Sequence, residues 1–478
     1  MPASTPLSRH ADATLTDQLA ARFGERIRQR LLAPGARLPS VRECARRHAI
    51  SPSTVVAAYD QLLAQGLVEA RKQRGFYVRD NARAGEAQAA SQPASVGHGA
   101  ARPAAPLSAT ALMRGMFQPP GAQPVPGLGT LPVEWLDPPM LATALRRVSS
   151  GALLGPLALQ YGEPAGDSRL RRTLAARLAD LGVKATPEQI VTTLGATQGL
   201  DVVTRALLRA GDAVLVDEPG WPVEYARLTA LGLRMLPVPR GEDGPDLNVM
   251  AQLLRAHRPR LYITVSVLHN PTGASLSLAA AHRLLKLAQA HDLHIVEDDS
   301  YSHLAPAHLP RLAALDGLER TIYVSGFSKI LAPNWRVGFI AAPPAFVDRF
   351  VDTKLLGTLT TPALTEQAIA HCLELGLLRR HAERVTVRLD AARARAVRLA
   401  EGAGCTFAAP PRGLFGWVDT GVDTERLAQA MLDDGWLIAP GALFHATHRP
   451  TTLMRINFAS TQEARFWRAF ERAREALR

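Results

Sequence analysis

The chain has 478 residues, with 55 Lys and Arg against 43 Asp and Glu, and its formal net charge is +12. Hydrophobic residues make up 47% and charged residues 21%, which is ordinary for a globular protein and excludes a wholly disordered chain. The three cysteines lack CxxC spacing, which excludes a disulfide scaffold and the usual zinc clusters, so no metal is expected. No apolar signal-peptide core and no apolar run of about 18 residues is present, so we expect a cytoplasmic protein that does not span a membrane.

Basic residues are concentrated near the N-terminus. Residues 1–80 hold thirteen Arg or Lys and seven Asp or Glu, so the first sixth of the chain carries half of the excess positive charge. This imbalance favours a module that binds a polyanion such as nucleic acid. The alternative is a general preference for arginine, because the whole chain contains only five lysines.

The first 80 residues predict three helices followed by two short strands. Apolar residues recur every four positions over 15–31 and line one helix face, and Pro34-Gly35 ends that helix. Ser40-Val41-Arg42-Glu43 has the spacing of a capping box and starts a second helix. Ser51-Pro52 starts the third helix. Two strands then flank the basic turn 71–74, which completes a winged helix-turn-helix.

This module resembles the GntR family of bacterial regulators through the segment RLPSVRECARRHAISPSTVVAAYDQLLAQGLVEARKQRGFYV, and we place its bounds at residues 8–80. The resemblance implies that the third helix enters the major groove and that the basic turn reaches phosphates or the minor groove of double-stranded DNA. The residues expected to face DNA are Arg42, Ser51, Ser53, Thr54, Arg74 and Gly75. Pro52 stands where some relatives have a basic side chain, so fewer basic contacts to bases are expected. The alternative is that the arginines of the second helix only solvate its surface.

Residues 81–126 are rich in Ala, Gly, Pro, Ser and Gln and have no sustained apolar period. Such a segment cannot bury enough apolar surface to offset its ordering entropy, so we predict a flexible linker. The linker separates the N-terminal module from a body at residues 127–478, in which strand and helix patterns alternate. We expect a small C-terminal lobe of this body at about residues 365–478.

Three apolar segments of the body run into polar residues where a strand would end. RLYITVSVL leads to Asn270, LHIV leads to Asp298, and TIYVSGFS leads to Lys329. Each segment is typical of a buried strand in a parallel sheet. Ligands of open α/β sheets bind beyond the carboxyl ends of the strands, so we expect these three side chains to share one site.

The residue types at this site match the chemistry of pyridoxal 5′-phosphate (PLP). The lysine could form a Schiff base with an aldehyde, and the carboxylate could pair with a protonated pyridine nitrogen. Asn270 and Tyr301 could hydrogen-bond the ring oxygen, and Trp221 could stack on the ring. Gly195-Ala196-Thr197-Gln198 precedes an apolar helix whose N-terminus could bind the phosphate together with Arg336.

Each signal has an ordinary structural alternative, such as a plain turn, a helix cap, a core aromatic or a surface ion pair. Together and in this order they resemble the fold type I aminotransferase superfamily over about residues 127–478. The resemblance implies an α/β fold class: an aspartate aminotransferase-like PLP-dependent transferase with large and small domains behind the winged helix-turn-helix. It also implies PLP as cofactor and a homodimer as the assembly.

The resemblance assigns roles to single residues through the matching motifs. FSKILAPNWRVGF makes Lys329 the internal-aldimine lysine and therefore the catalytic residue. EDDSY makes Asp298, rather than Asp299, the partner of the ring nitrogen and Tyr301 the partner of the ring hydroxyl. LMRINFA makes Arg455 the arginine that binds the substrate carboxylate.

The same resemblance assigns the phosphate contacts. The residues expected there are the amides of Ala196 and Thr197 together with Ser325, Ser328 and Arg336. Gly326 replaces the Ser or Thr that the family often has three residues before the lysine. QYGEPAGDSRLR makes Tyr161 a residue that crosses the dimer interface to the phosphate of the other subunit.

A GntR-type winged helix, a linker and an aminotransferase-like body together resemble the MocR family of regulators. The resemblance implies a PLP-responsive transcription regulator that binds operator DNA and senses PLP or an amino compound. The competing hypothesis is a catalytically competent PLP-dependent aminotransferase whose DNA-binding module is an accessory. The chain retains Lys329, Asp298 and Arg455, which transamination needs, so an enzymatic side activity stays open.

Overall fold

The computed structural model describes residues 7, 13–28, 31–32, 34–71, 74–79, 112, 114, 125–150, 155 and 159–478. Of the linker predicted over 81–126, only four residues lie in these ranges, and Lys72 of the basic turn lies outside them. Within the described ranges, no helix is long and apolar enough to cross a membrane. The same ranges contain no group of His, Cys, Asp and Glu that could hold a metal ion.

The N-terminal module consists of three helices and a hairpin, namely α1 (Leu15–Arg28), α2 (Val41–His48), α3 (Pro52–Ala64), β1 (Val68–Arg71) and β2 (Gly75–Val78). The side chains of Ser40 and Ser51 cap α2 and α3 because each accepts a hydrogen bond from the backbone amide three residues further on. Tyr59 of α3 packs edge-on against Phe23 and Phe76. One aromatic cluster therefore joins α1, α3 and the hairpin.

The first helix is shorter than its apolar spacing predicts. The described helix ends at Arg28, whereas the spacing continues to Leu31. Leu31 is buried in the hydrophobic cluster of the body rather than in that of the module. The spacing of apolar residues cannot tell these two locations apart, because a residue buried against a neighbouring domain is as apolar as one buried inside its own domain. The N-terminal module therefore touches the body through Leu31.

A seven-stranded sheet forms the centre of the body. Its strands are β3 (Ile190–Thr193), β4 (Ala213–Glu218), β5 (Arg234–Pro239), β6 (Leu261–Thr264), β7 (His294–Asp298), β8 (Thr321–Gly326) and β9 (Gly338–Ala341). Their order is β3-β9-β8-β7-β6-β4-β5, and β9 alone in this order runs antiparallel to its neighbours. The five strands from β4 to β8 are parallel and therefore end at one edge of the sheet.

Helices cover both faces of this sheet: α4 (Pro138–Val148), α5 (Ser168–Ala179), α6 (Ala196–Leu207), α7 (Pro222–Ala230), α8 (Leu247–His257), α9 (Leu278–Ala290), α10 (Leu312–Asp316), α11 (Pro344–Thr358) and α12 (Ala363–Glu374). Side chains along β4 alternate between two apolar clusters. Val214 and Val216 join the cluster of α6 and α7, whereas Leu215 joins that of α8 and α9. Burial on both faces explains why these strands read as continuous apolar runs.

A second, four-stranded sheet belongs to the C-terminal part of the body. It contains β10 (Thr406–Phe407), β11 (Phe415–Asp419), β12 (Ala439–Pro440) and β13 (Leu453–Asn457), in the order β10-β11-β13-β12. The helices of this part are α13 (Leu377–Gly402), α14 (Thr424–Asp433) and α15 (Ala464–Glu475). The largest apolar cluster contains residues of this small sheet and residues that flank the seven-stranded sheet. Phe415 and Arg455 therefore lie near the ends of the parallel strands, where Arg455 contacts Asn270.

Candidate functional site

Lys329 lies three residues beyond the end of β8 and is partly buried. Its Nζ donates a hydrogen bond to the carbonyl oxygen of Gly129, at 2.9 Å. Burial, assisted by the positive charge of Arg455, lowers the pKa of the Lys329 ammonium to about 8. The neutral amine, which is the nucleophilic form, is therefore far more accessible here than on an exposed lysine.

Asp298 ends β7, and one of its carboxylate oxygens accepts hydrogen bonds from the Ser300 amide, at 3.0 Å, and the Ser300 hydroxyl, at 2.5 Å. Burial raises the pKa of this carboxyl to about 6. The neighbouring Asp299 is already paired, because it accepts from Arg311 and Tyr323 inside the protein. Of the two aspartates, Asp298 is the one whose charge remains to be matched by a ligand.

Tyr301 and Asn270 lie beside this carboxylate. Tyr301 is buried and packs edge-on against Phe415, with a ring-centroid distance of 5.5 Å. Asn270 follows His269 in a tight turn, and its Oδ1 accepts a hydrogen bond from Arg455 at 3.0 Å. Trp221 is the N-cap residue of α7 and packs beside the apolar cluster of α6.

A polar cradle forms where α6 begins. Gly195 is its N-cap with φ +81°, and a Cβ at this position would lie 2.6 Å from the Arg336 guanidinium. Arg336 in turn donates to the Ser328 hydroxyl at 3.1 Å and to the Leu194 carbonyl at 2.7 Å. The helix N-terminus, its first amides at Ala196 and Thr197, the hydroxyl and the guanidinium thus converge on one point, which suits an anion.

Ser325 differs from the other predicted phosphate residues. Its hydroxyl donates to the backbone carbonyl of Asp299, at 2.8 Å, and is buried within the sheet. A Cβ at Gly326 would instead lie 3.3 Å from the Ala196 amide, so position 326 faces the cradle. Because side chains alternate along a strand, Ser325 points to the opposite face and the structure does not bring it to the site.

Arg455 lies on β13 at the other side of the site and is only 6% exposed. Its guanidinium carbon is 4.5 Å from the ring centroid of Phe415 and 5.1 Å from that of Phe444. Besides Asn270, it donates to the carbonyl oxygen of Gly127 at 2.6 Å, while its buried Nε has no partner among the described residues. Burial lowers the pKa of Arg455 to about 10.

Sequence reasoning missed the segment 125–131, which crosses the site. The carbonyls of Gly127 and Gly129 accept hydrogen bonds from Arg455 and Lys329, two of the basic side chains that the site would present to a ligand. Gly127 packs so closely on Ile438 that a Cβ there would lie 2.8 Å from its carbonyl carbon. The signal in the sequence is the glycine spacing of VPGLGTL, the start of which falls inside the predicted linker.

A buried polar network behind the site was also missed. Asp217, near the end of β4, accepts from Arg240 at 3.1 Å, from Thr264 at 2.8 Å and from the Tyr262 hydroxyl. His269 lies 3.6 Å from the same carboxylate and fixes the turn that presents Asn270. The available signal was a pair of acids, Asp217 and Glu218, at the end of the otherwise apolar strand AVLVDE.

Within the described part of the chain, Tyr161 makes no hydrogen bond or ring contact with the other predicted site residues. It is 82% exposed, and the side chains of Leu159 and Leu356 are also exposed. Scattered exposed apolar residues are normal, but three this exposed favour a contact with another chain.

The predicted DNA-facing residues lie on the outside of the N-terminal module. Arg42, Ser51, Ser53, Arg74 and Gly75 are exposed, and Thr54 is partly buried. The Ser51 hydroxyl is 2.8 Å from that of Ser53, so these polar groups form one patch at the start of α3. Arg47 behaves differently from its neighbours on α2, because it pairs with Asp433 of the body.

Comparisons with known proteins agree with this geometry. Residues 130–472 match the family described as aminotransferase class I and II. The chain belongs to this family. Its members depend on PLP, and the predictions of that cofactor and of a fold type I body are confirmed. Residues 15–78 match the bacterial regulatory proteins of the gntR family, so an aminotransferase body is joined to a DNA-binding module.

Individual relatives share this composite architecture. The Bacillus subtilis protein named uncharacterized HTH-type transcriptional regulator YisV is 26% identical over 95% of this chain and 94% of its own length. The probable rhizopine catabolism regulatory protein MocR of Rhizobium meliloti is 30% identical over 72% of this chain and 68% of its own. The predicted MocR-type architecture is therefore confirmed.

Among solved structures, the aminotransferase body resembles LysN, the alpha-aminoadipate aminotransferase of Thermus thermophilus, complexed with N-(5′-phosphopyridoxyl)-L-leucine. The TM-score is 0.70 and the identity 28%, over 77% of this chain and 95% of that one. The residues of this chain's site fit the coenzyme. Among the described residues they provide a cradle that a Cβ at Gly195 would fill, a buried Asp298 with no cation paired to it, and the orphaned Nε of Arg455.

Proposed function

We propose that the chain is a PLP-responsive transcription regulator that binds operator DNA and senses PLP or an amino compound in its aminotransferase body. One observation carries the proposal: the patch at the start of α3 is exposed while another face of the module contacts the body that holds the coenzyme constellation. The module can therefore bind DNA and touch the sensor at the same time. Such a regulator would act in the cytoplasm, where its DNA is.

Different residues of the body would bind different parts of PLP. Lys329 would hold the coenzyme covalently through Nζ, and Asp298 would pair with the ring nitrogen. Asn270 and Tyr301 would bind the ring oxygen, and Trp221 would cover the ring. The cradle at the start of α6 would bind the phosphate. When bound, PLP supplies an electron sink for amino compounds.

Arg455 would recognise the carboxylate of an amino acid effector. The Arg455 guanidinium is buried between two aromatic rings, which accept no conventional hydrogen bonds. Among the described residues, it donates only to the Asn270 side chain and the Gly127 carbonyl. A ligand carboxylate offers a stronger, bidentate pairing than a single carbonyl. It would therefore displace Gly127 from Arg455.

The decisive experiment measures operator affinity of the full-length chain, with a duplex that this chain selects from a random library. Wild type and Lys329→Ala are compared with and without PLP and candidate amino acids, and the visible spectrum monitors PLP binding. We expect PLP or its adduct to change wild-type affinity by about 5–150-fold, the usual size of a coupling between sites. Equal affinities in all conditions, with PLP visibly bound to wild type, would contradict the proposal.

A working aminotransferase is the second candidate, because Lys329, Asp298 and Arg455 are all in place and relatives include aminotransferases. Turnover with amino and keto acids separates the two. A rate on the order of 10 per second, typical of enzymes, together with DNA affinity that ignores PLP, would favour the enzyme.

We further propose a homodimer in which Tyr161 reaches the phosphate of the other subunit. Its exposure, with that of Leu159 and Leu356, motivates this assignment. Mixing a Tyr161→Phe chain with a Lys329→Ala chain should restore one intact site per heterodimer. A monomer in sedimentation at micromolar concentration would contradict the assignment.

A further inference from the structure

We propose that the C-terminal end of α14 is a docking site for the chain's own DNA-binding module, and that a ligand on Lys329 and Arg455 loosens the contact. The inference rests on the proposed PLP-responsive function and adds the surface through which the response would travel. Its centre is Asp433, the last residue of α14.

Asp433 binds two arginines of the module, one from each of two helices. One carboxylate oxygen accepts from Arg26 of α1 and the other from Arg47 of α2. Arg26 also donates to the carbonyl of Leu432, at 2.8 Å. The side chains of Arg26 and Asp433 are only 5% and 4% exposed, so this is a desolvated ion pair rather than a surface contact.

The position of the pair at a helix end strengthens it. The C-terminus of a helix carries a partial negative charge, and cations there are stabilised. Arg47 also pairs with Glu43, at 3.0 Å. Asp433 is the acid that the two arginines share, and no other carboxylate pairs with Arg26 among the described residues. Removing the Asp433 carboxylate would leave the buried guanidinium of Arg26 without an acid partner, which is strongly unfavourable. Arg47 would keep Glu43. The contact therefore depends largely on the charge of Asp433.

The docked face and the DNA-facing patch use different sides of α2. Arg42 and Arg46 are exposed, whereas Arg47 turns to Asp433. Docking therefore does not cover the predicted DNA contacts. Instead it fixes the direction in which the module presents them, and the spacing of two half-sites demands a fixed direction.

The docking site is connected to the ligand site through a short, hydrogen-bonded stretch of backbone. The Leu432 carbonyl, which Arg26 contacts, also accepts from the Gly435 amide at 3.0 Å. Two residues later, the Leu437 carbonyl accepts from the Gly127 amide at 2.8 Å. Gly127 is the residue whose own carbonyl is held by Arg455.

A ligand would compete with this segment at two atoms. A carboxylate on Arg455 displaces the Gly127 carbonyl, and covalent use of the Lys329 Nζ removes the donor from the Gly129 carbonyl. Both oxygens then lose buried partners, which favours movement of 125–131 toward water. Gly127 and the backbone of Leu437 and Ile438 are in tight contact, so they move together and Asp433 shifts relative to the module.

Hydrogen exchange of the full-length chain tests the proposal, with mass spectrometry of peptides from α1 and α2. The probes are PLP alone and N-(5′-phosphopyridoxyl)-L-leucine, which carries ring, phosphate and carboxylate. In wild type, loading should accelerate exchange at the docked ends of both helices by about five-fold or more. Asp433→Asn should exchange fast whether loaded or not, because the amide leaves Arg26 without an acid partner.

Two matched controls separate docking from general destabilisation. Asp434→Asn removes the adjacent carboxylate, which lies 3.5 Å from Arg472 of the body. That carboxylate interacts with Arg22 and Arg47 through its charge. The variant should accelerate exchange far less than Asp433→Asn. If Asp433→Asn does not fold, Arg47→Gln serves instead, with Arg46→Gln on the exposed side of the same helix as its control.

The outcomes distinguish this inference from the proposed function. If PLP binds visibly and changes operator affinity while exchange of α1 and α2 does not respond, the docking inference is wrong and the regulator stands. Slow exchange in Asp433→Asn equal to wild type would also overturn it. If no PLP binds at all, the proposed function fails first.

Discussion

The coenzyme site and the junction between module and body are built in opposite ways. At the site, Asp298 and Lys329 lie at the ends of two neighbouring strands of the large sheet, and Gly195 lies at the start of helix α6. At the junction, two helices of the module meet one carboxylate, with Leu31 as an apolar neighbour. The first arrangement is determined by many contacts, whereas the second depends on few groups. The sensor proposed above would need both: a rigid site that defines the ligand and a junction of few groups that a ligand can release.

The largest effect that sharpens this comparison is expected from Lys329→Ala. Loss of the amine at the end of β8 should abolish covalent PLP, so borohydride reduction and peptide mass mapping should find no phosphopyridoxyl group. Wild type should carry the group on Lys329. Lys286→Ala, on the exposed side of α9, is the matched control and should label as wild type. A mark on Lys354 in wild type would refute the assignment.

The next largest effect is expected from Asp298→Asn, on the pH dependence of the free energy of unfolding, measured in urea without PLP. Burial raises the pKa of its carboxyl from 3.8 to about 6, so the folded state holds the proton more tightly than the unfolded chain. Stability therefore falls as pH rises from about 4 to about 6, by about 2–3 kcal/mol for a shift of roughly two units. Asp298→Asn should lack this part of the slope. Parallel pH profiles of the two proteins would show that the carboxyl is not desolvated.

Arg455→Met should weaken binding of N-(5′-phosphopyridoxyl)-L-leucine while PLP alone binds as before. Hydrogen bonds to charged groups contribute about 1.5–3 kcal/mol, or roughly 10–150-fold in affinity. Fluorescence titration of both ligands measures the difference. Arg412→Met, whose arginine is largely exposed and 3.7 Å from Glu242, is the control. Equal loss for both ligands would mean that Arg455 supports the fold of the site instead.

The smallest effect is expected on the side of the module that is predicted to face DNA, which differs from the side of α2 that contacts Asp433. Arg42→Ala or Arg74→Ala should weaken DNA binding and reduce the salt dependence of affinity by about one unit each. Arg28→Ala, an exposed arginine of α1 that pairs with Glu25 at 3.3 Å, should leave the slope unchanged. An unaltered slope in the first two variants would mean that these arginines only solvate the surface.

The parts of the site that the sequence predicts are those that strand ends and helix starts define locally. Asn270, Asp298 and Lys329 follow apolar runs whose direction is fixed by the parallel sheet, so their meeting follows from the sequence pattern alone. The structure does not bring the predicted Ser325 to the cradle, because Gly326 faces it instead, and alternation along a strand depends on a one-residue register.

Contacts between residues far apart in the chain could not be predicted in this way. Arg26 and Asp433 are 407 positions apart, and nothing local to either sequence indicates the other. The same holds for Gly127 on Arg455, because a carbonyl acceptor has no side-chain signature. Apolar spacing also places Leu31 in the module, since burial against another domain leaves the same pattern.

The lowered pKa of Lys329 affects how selectively PLP reacts with the lysines of this chain. At pH 7, an amine with a pKa of about 8 is neutral in roughly one molecule in ten, against fewer than about one in a thousand for an ordinary lysine. PLP is a reactive aldehyde that modifies exposed amines indiscriminately, and this chain uses arginine for nearly all of its basic residues, with only five lysines. Arginine carries the charge that DNA binding requires without offering a competing nucleophile. Burial lowers the pKa of Lys354 to about 8 as well, but that side chain is fully buried and donates to the Pro164 carbonyl. Reaction of the aldehyde at other exposed amines is thereby limited, and Lys329 is the activated amine that lies at the site.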